Sequence, residues 1–328
     1  MFQGLSKQSL IGQMMKNSGV ININKPEGYT SHDVVARLRR RLGIKRVGHT
    51  GTLDPMATGV LPVCYGKATR IIEYYDHDWK TYEAELELGK VSDTLDSTGE
   101  VVEERSAAGV TREDVLALEP MYRGTITQIP PRYSALKING RPLYKYAREG
   151  QEIDIDSKKR EIEIRSFAFT SIDIPTRKVS FTVTCSKGTY IRSICAEIGE
   201  LLGTGAVMTK LERTRSGVFE IVDAYNLDDV LAMNDEELEK IVIDCDSTII
   251  NLRKLVLKEG SEPFYFNGRK IEPRYYSSAG SDSFENANDG DIFPDLYRLY
   301  DVHGEFLGTC RMLEDGVLKP EKVIGNRD

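Results

Sequence analysis

Apolar and polar residues alternate along several short segments of the chain, which is the spacing of half-buried β-strands. The alternation covers Gly19–Asn24, Lys80–Leu88 and Val179–Cys185. Two shorter strands, Leu296–Val302 and Phe306–Leu313, are predicted near the end of the chain, where Gly, Pro, Asn and Asp form turns between them. Strands are therefore the main element that the pattern predicts.

Helical spacing occurs at fewer places. Thr30 or Ser31 offers an N-cap for a helix whose apolar side chains recur every three or four residues until Gly43 closes it. A second helix follows the turn Lys187–Thr189, and residues 223–240 are predicted to be an acidic connector helix. Residues 47–70 are predicted to be a loop, rich in Gly, Pro and Thr, that runs into an apolar stretch. The elements indicate an α+β fold, with a mostly antiparallel central sheet flanked by helices.

The distribution of charge changes the meaning of the net value of −7. Residues 221–328 carry 12 Lys/Arg and 23 Asp/Glu, so residues 1–220 have a net charge of +4. Most of the excess acid lies in residues 221–248, which hold nine acidic residues and one lysine. An RNA partner remains compatible with this chain, because phosphate contacts need local Lys and Arg rather than a basic whole protein.

Length and composition narrow the class of protein. A chain of 328 residues predicts two domains, and its 40% apolar content is enough for a packed core. No apolar run approaches the ~18 residues of a membrane span. Residues 1–18 have no signal-peptide pattern and are predicted to be a flexible lead. The five cysteines are scattered, which suits a reducing cytoplasm and argues against disulfides and a zinc site.

The segment Gly48–Gly59 is the first candidate for chemistry. Three glycines and a proline in twelve residues favour backbone conformations that other residues avoid. Asp54 lies in its middle and is either the cap of a turn or a functional carboxylate. His49 likewise is either a hydrogen-bonded loop residue or part of a site. Loop composition alone leaves both alternatives open.

Two more segments carry charge in informative places. Arg192 lies in the first turn of a predicted helix, where a cation opposes the helix dipole unless it pairs with an anion such as Asp54 or a phosphate. The alternative is an exposed arginine. Between residues 129 and 150, aromatic and basic side chains interleave, as in segments that stack on bases and contact phosphates; the alternative is a solvated amphipathic helix. The interleaved residues are Arg132, Tyr133, Lys137, Arg141, Tyr144, Lys145, Tyr146 and Arg148.

Motifs for other chemistries are absent from the sequence. It has no P-loop, no Gly-x-Gly-x-x-Gly that opens a helix, no Gly-x-Ser-x-Gly and no His-Glu-x-x-His. Four histidines without ligand spacing argue against a catalytic metal. The residues alone therefore indicate an α+β protein of RNA-binding character with one unusual loop.

Taken together, these segments resemble the bacterial TruB-type tRNA pseudouridine synthases, the tRNA pseudouridine-55 synthases. The likeness spans about residues 19–220, with matching segments in order at Lys25–Ser31, Gly48–Pro62, Lys80–Tyr82, 129–150 and Cys185–Arg192. The resemblance implies the pseudouridine synthase fold in residues 19–248, with an insertion at about 123–152 that closes over RNA. It also implies a small β-rich, PUA-like RNA-binding domain in residues 249–328.

The resemblance implies a reaction as well. A uridine at position 55 in the T-loop of tRNA would be flipped out and isomerised to pseudouridine, without cofactor or metal. Asp54 would be the nucleophile, at ribose C1′ or base C6, and pairing with Arg192 would hold it and keep its pKa low. Tyr82 would stack on the flipped uracil. Tyr190 would lie in the pocket as a candidate for the final proton removal.

Three further roles follow from the same resemblance. His49 would reach into the RNA beside the displaced base, and Leu211 would close the pocket wall. Lys25 would support its strand or the RNA backbone. The cations and the tyrosine of the insertion that would contact RNA are Arg132, Tyr133, Lys137, Arg141, Lys145 and Arg148.

The expected protein is a stand-alone cytoplasmic enzyme, a monomer that acts on the T-arm without an obligatory protein partner or a membrane. One alternative is a guide-RNA-dependent synthase of the dyskerin type, which shares the catalytic motifs but lacks the 129–150 insertion. The other is a non-catalytic folding factor that only opens and refolds the T-arm of tRNA.

Overall fold

A computed structural model describes residues 18–134, 136–138, 140–151, 153–278 and 293–325. The prediction of a flexible lead therefore lies outside the described residues except for Ser18. The strands are β1 (Gly19–Lys25), β2 (Val47–His49), β3 (Thr58–Tyr65), β4 (Lys80–Leu88), β5 (Lys90–Ser92), β6 (Val101–Glu104), β7 (Gly124–Gln128), β8 (Lys137–Ile138), β9 (Arg141–Pro142), β10 (Arg160–Asp173), β11 (Lys178–Cys185), β12 (Ala206–Ser216), β13 (Phe219–Glu220), β14 (Tyr225–Asn226), β15 (Arg253–Leu257), β16 (Tyr276–Ser278), β17 (Leu296–Tyr300), β18 (Phe306–Met312) and β19 (Leu318–Val323). The α-helices are α1 (Ser31–Leu42), α2 (Arg112–Leu116), α3 (Leu143–Arg148), α4 (Ile191–Leu201), α5 (Leu227–Ala232), α6 (Asp235–Lys240) and α7 (Glu262–Phe266).

The main sheet joins ten strands of the described chain. Their order is β14-β1-β3-β12-β4-β11-β10-β7, with β2 beside β3 and β13 beside β12. Neighbours are antiparallel except at β14–β1 and at β3–β12. The prediction of an α+β fold with a mostly antiparallel sheet is therefore confirmed. The β3–β12 junction contains only two residue pairs, Thr58 with Glu212 and Gly59 with Arg213.

Helices cover the two halves of this sheet separately. On one half, α1, α5 and α6 bury apolar side chains against β1 and β3, around Ile23, Leu38 and Leu61. On the other half, α4 buries Ile194 and neighbouring residues against β4, β11 and β12. The Gly48–Gly59 loop lies at the junction, because it connects β2 to β3 and its Leu53 packs into the core under α4.

The first helix forms where the sequence predicts it. Thr30 is the N-cap and makes a reciprocal capping box with Asp33, while Gly43 ends the helix in the left-handed conformation with φ of 65°. The predicted strands β4 and β11 are confirmed, as are the two strands near the end of the chain, which stop one or two residues earlier than predicted.

Two predicted elements are wrong. Residues 223–240 are not one helix: Asn234 makes its own capping box with Glu237, so the chain ends α5 and starts α6. Residues 47–70 are not one loop, because they contain β2, β3 and the start of a 3-10 segment, Gly66–His77. In β3 seven successive residues are buried, so the strand has no polar alternation to reveal it.

The insertion predicted at about residues 123–152 overlaps the main sheet at its start. Residues Gly124–Gln128 belong to the main sheet as the edge strand β7, paired with β10. Only the residues after Gln128 leave the sheet, and they form the short strands β8 and β9 and the helix α3. The name "insertion" is used below for residues 129–155.

The C-terminal part forms a second sheet, in the order β16-β15-β17-β18-β19. It packs on the 3-10 segment through a buried cluster that includes Tyr74, Leu296 and Ile324. This β-rich unit agrees with the predicted small C-terminal domain, although the boundary at residue 248 stays a prediction. None of the helices in the described ranges is long and apolar enough to cross a membrane.

Candidate active site

The loop that carries Asp54 is fixed from two sides. The Leu53 N–H donates to Ser31 Oγ at the start of α1, at 2.9 Å. The Gly28 N–H donates to the Pro55 carbonyl at 2.8 Å, and the Ala57 N–H returns to the Asp54 carbonyl at 3.1 Å. Buried Leu53 thus packs inward while the next side chain, Asp54, points out of the loop with 36% of its surface exposed.

Lys25 supports the same loop from inside the protein. Its fully buried ammonium donates to the carbonyls of Tyr29 at 2.6 Å, Pro26 at 2.9 Å and Pro55 at 3.2 Å. Burial lowers the pKa of Lys25 to about 8, although the nearby Asp54 carboxylate opposes the shift. Lys25 thus contacts the protein backbone beneath Asp54, while its two predicted roles stay predictions.

Asp54 and Arg192 form an ion pair. Arg192 Nε lies 2.9 Å from Asp54 Oδ2, and the arginine side chain is only 5% exposed. The rest of the guanidinium donates to the carbonyl of Thr94 at 2.8 Å and to that of Tyr133 at 2.9 Å. Arg192 is thus held on all sides by oxygen atoms, while the carboxylate keeps one open side.

The pKa of Asp54 does not follow the prediction. It is raised above its ordinary value, because burial of the carboxyl outweighs the opposing charge of Arg192. The buried carboxylate of Asp96 adds to the rise, since its Oδ2 lies 3.7 Å from Arg192 Nη1 and shares the same guanidinium. Arg192 lowers this pKa, as expected, but not by enough to keep it low.

Asp96 is a site residue that the sequence interpretation missed. Its Oδ1 accepts hydrogen bonds from Thr94 Oγ1 at 2.8 Å, Thr98 N at 3.0 Å and Thr98 Oγ1 at 2.6 Å. These bonds fix the turn that also presents the Thr94 carbonyl to Arg192. The sequence of residues 93–99 is typical of a turn, but Arg192, the partner of Asp96, lies almost a hundred residues further along the chain.

Tyr82 and Leu211 form the apolar side of the site. Both are in the same buried cluster as Leu53, and Tyr82 is 9% exposed. Arg213, which was also missed, is 1% exposed and donates to the carbonyls of Val60 at 2.7 Å and Gly51 at 3.1 Å. Burial raises the pKa of the Tyr82 phenol, and the nearby Arg213 partly offsets this rise.

A glycine is required where β3 meets β12. Gly59 has φ of +99°, and a Cβ added there would lie 2.3 Å from the Arg213 carbonyl oxygen. The absence of a side chain lets the two strands approach each other. This contact sets the distance between the Asp54 loop and the strand that carries Leu211.

His49 and Tyr190 lie at the margins of the site. His49 is half-buried and its Nδ1 accepts a hydrogen bond from Gly51 N–H at 3.2 Å. Burial and the charge of Arg213 lower the pKa of His49, which favours the neutral ring. Tyr190 is the N-cap residue of α4, two residues before Arg192, and its ring packs 4.5 Å from the Arg160 guanidinium.

The insertion presents most of its cations to solvent. Arg141 stacks on Tyr146 and pairs with Glu149, and Arg148 lies over the ring of Tyr144 at 5.6 Å. Tyr133 is half-buried, and its carbonyl reaches Arg192. The structure thus brings the insertion into contact with the ion pair. The exposed cations are Arg132, Lys137, Lys145 and Arg148.

The arrangement is suited to nucleophilic chemistry by a carboxylate. Within the described part of the chain, no group of three His, Cys, Asp or Glu side chains is placed to hold a metal ion. Asp54 is fixed in its loop, backed by a buried cation and bordered by the aromatic ring of Tyr82. These features favour nucleophilic attack by Asp54 on an electrophilic carbon of a molecule that reaches its exposed side.

Comparisons with known proteins agree with this geometry. Residues 39–191 match the family model described as TruB family pseudouridylate synthase (N terminal domain). Residues 192–256 match the model described as tRNA pseudouridylate synthase B C-terminal domain.

Two relatives match along almost their whole length. The tRNA pseudouridine synthase B of Clostridium perfringens (strain 13 / Type A) is 43% identical over 309 residues, covering 94% of this chain and 99% of that protein. The protein of the same name from Pseudomonas fluorescens (strain Pf0-1) is 36% identical, covering 94% of this chain and 95% of its own.

Solved structures show the same fold. One is a chain of an H/ACA RNP bound to a substrate RNA containing 2'-deoxyuridine, with a TM-score of 0.68, 25% identity, and coverage of 98% of this chain and 89% of that chain. The other is a chain of a Cbf5-Nop10-Gar1 complex, with a TM-score of 0.69, 25% identity, and coverage of 95% and 86%.

Proposed function

Because this chain belongs to the TruB family of pseudouridylate synthases, we propose that Asp54 is the nucleophile with which it converts uridine 55 in the T-loop of tRNA to pseudouridine. The chain is an isomerase of the tRNA pseudouridine synthase class, and its substrate is tRNA. The observation that carries the assignment of Asp54 is its ion pair with buried Arg192, which leaves the carboxylate as the exposed member.

The reaction exchanges one glycosidic bond for another. The Asp54 carboxylate attacks ribose C1′ or base C6, and the N1–C1′ bond breaks while the uracil stays bound. The uracil turns, its C5 bonds to C1′ and the bond to Asp54 breaks. The C5 proton then leaves and N1 takes up a proton, so the product is an isomer of the substrate. The reaction changes no oxidation state and therefore needs no redox partner. Its demands match the carboxylate of Asp54, the cation of Arg192 and the ring of Tyr82.

The surrounding residues supply position and exclude water. Arg192 and Lys25 offset the charge of Asp54 from two directions, and the Leu53–Leu211 cluster forms a dry floor. Tyr82 stacks on the flipped uracil, His49 reaches beside the displaced base, and Tyr190 is the candidate for removing the C5 proton. Low polarity around the carboxylate strengthens every electrostatic contact that the transition state makes.

We assign recognition of the tRNA T-arm to the insertion. The exposed cations named above contact phosphates, and their neighbouring tyrosines stack on bases or on those cations. The insertion supports action without a guide RNA, since it provides protein contacts that would otherwise come from a guide. We assign the chain to the cytoplasm as a monomer without an obligatory protein partner.

Tritium release tests the nucleophile directly. Purified protein is mixed with a T-arm stem-loop labelled with tritium at uridine C5, with no guide RNA. Wild type releases tritium, and Asp54→Asn lowers the rate by on the order of 10³-fold or more, because an amide is not a nucleophile at neutral pH. Asp228→Asn, at an exposed carboxylate of the acidic connector, is the matched control and keeps the wild-type rate.

Each result has a defined meaning. No release from wild type would refute the stand-alone enzyme, and undiminished release from Asp54→Asn would refute the nucleophile. Opening of the T-arm by a wild-type protein that releases no tritium would instead identify the folding factor that the sequence left as an alternative.

A further inference from the structure

We infer that Gln128 is a positioning residue for this reaction: its buried amide ties the base of the insertion to the first turn of α4 and so fixes Arg192 beside Asp54. The inference rests on the proposed function, because it concerns how the same site is assembled. It adds a residue outside the segments that carry the family resemblance, since the matching segment there begins at Ile129.

The hydrogen bonds of Gln128 are reciprocal. Its Oε1 accepts from the backbone N–H of Tyr190 at 2.7 Å, and its Nε2 donates to the backbone carbonyl of Tyr190 at 3.0 Å. The residue is 3% exposed, so water has little access to these groups. Loss of the amide would leave the Tyr190 N–H without this partner, whereas the Tyr190 carbonyl would keep the Ile194 N–H at 3.3 Å.

Tyr190 begins the helix that carries Arg192. As the N-cap of α4 it has extended backbone angles, and its own side chain makes no capping hydrogen bond. The Gln128 amide therefore fixes the backbone at the point where the chain turns from β11 into α4. Since Arg192 is only two residues further on, a shift at Tyr190 moves the guanidinium relative to Asp54.

Two neighbouring contacts join the same pair of segments. Ser193 Oγ donates to the Ile129 carbonyl at 2.9 Å, and Arg192 Nη2 donates to the Tyr133 carbonyl at 2.9 Å. Residues 128–133 are thus bonded to residues 190–193 at three places. The insertion cannot change position at its base without a change in the contacts of Arg192.

The sheet holds Gln128 independently of its amide. As the last residue of β7 it pairs with Arg160 of β10. Removal of the side-chain amide should therefore leave β7 in the sheet and loosen only its connection to α4. This predicts a local loss of positioning rather than a loss of the fold.

Gln128→Met tests the inference, because methionine has a similar length and lacks both hydrogen-bonding groups. Single-turnover tritium release should fall by roughly 10–100-fold, since small misplacements of catalytic groups cost about that much. The Kd for the T-arm stem-loop should stay within about threefold of wild type. A Gln128→Glu variant keeps the acceptor for the Tyr190 N–H. Its rate of tritium release should lie between those of Gln128→Met and wild type.

The pH profile separates positioning from a merely structural role. The charged groups that face Asp54 are Arg192, Asp96 and Lys25, and only Arg192 depends on the Gln128 contact. When the guanidinium moves away, the acidic limb of the rate profile should shift to higher pH. Asn22→Ala is the matched control and should leave the pH profile unchanged. Asn22 lies in β1 and is another buried amide, which donates to the Glu220 carbonyl at 2.9 Å.

The outcomes are distinguishable. A Gln128→Met protein with wild-type rate and pH profile would overturn the inference, as would a loss confined to RNA affinity. If Gln128→Met fails to fold, Gln128→Glu carries the same test through its single-turnover rate and its Kd for the T-arm stem-loop. Absence of tritium release from wild type would instead count against the proposed function and would leave Gln128 to be judged by hydrogen exchange at Tyr190 to Ile194, which should accelerate in the variant.

Discussion

The Asp54 site and the contact between the 3-10 segment and the C-terminal sheet both bury polar groups, but in different ways. At the C-terminal contact the hydroxyl of Tyr74 meets that of Thr309 in β18 at 2.8 Å. Nearby, the hydroxyl of Tyr75 meets that of Thr248, in the turn before β15, at 2.6 Å. These groups are neutral, and each hydroxyl has a hydrogen-bond partner. At the Asp54 site, in contrast, three cations, Lys25, Arg192 and Arg213, are buried against carbonyls and carboxylates.

The neutral pairs at the C-terminal contact join two parts of the protein, whereas the buried charges at the Asp54 site serve the reaction. Neutral hydroxyl pairs hold two surfaces together at little desolvation cost, because each donor meets an acceptor. Buried charges cost much more and are poor sources of stability, so their retention marks a region kept for another purpose. Mutations at the Asp54 site should therefore change the reaction rate and its pH dependence. Mutations at the C-terminal contact should change only the stability of the protein.

Arg192→Lys should give the largest effect of three such tests. Lysine keeps the positive charge but has one ammonium, which cannot meet Asp54 and the carbonyls of Thr94 and Tyr133 together. We expect kcat for tRNA to fall by about 10²-fold, with KM within about threefold. Arg105→Lys, at a surface arginine paired with Glu103 and Glu200, should have no such effect. A rise in KM alone would show that Arg192 binds phosphate.

Lys25→Met tests the cost of the second buried cation. The pKa of Lys25 in the folded protein is about 8, below its ordinary value of 10.5, so the unfolded chain binds more protons between these values. Stability contributed by this residue therefore rises with pH through that window. Urea unfolding at pH 7.5 and 9.5 should show wild type gaining about 2 kcal/mol relative to Lys25→Met. A pH-independent difference would show that the lysine is not desolvated.

Tyr75→Phe should have the smallest effect. It removes one hydroxyl of a neutral pair, while Thr248 Oγ1 can still donate to the Cys245 carbonyl at 2.6 Å. The free energy of unfolding should fall by about 1 kcal/mol, and tritium release should stay within twofold of wild type. Tyr225→Phe, at an exposed tyrosine, gives the baseline. A large loss of activity would mean that the C-terminal contact is coupled to catalysis.

Local patterns predicted those parts of the fold whose signals are local. The alternation in Lys80–Leu88 and the Thr30–Asp33 cap with Gly43 are complete within a few residues, so they could be predicted correctly. Strand β3 could not, because burial on both faces removes its polar positions. The prediction of one helix over residues 223–240 rests on their acidic composition, which does not show that Asn234 is the N-cap of a separate helix.

The site was predicted less completely than the fold. Asp54, Arg192 and Tyr82 lie in segments with a family resemblance, whereas Asp96, Gln128 and Arg213 are defined by distant partners. Arg213, for example, donates to carbonyls more than 150 positions earlier in the chain. A single sequence contains no period or spacing that encodes such pairs.

The narrow junction between β3 and β12 has a consequence for the order of folding. Its two residue pairs join positions 58–59 to positions 212–213, and both belong to the segments that enclose Asp54. Closing so long a stretch of chain is slow compared with forming hairpins such as β10–β11. We therefore expect the active site to be among the last features to form during folding. Substitutions such as Gly59→Ala should then accelerate unfolding and leave the folding rate almost unchanged, which stopped-flow chevron plots would measure.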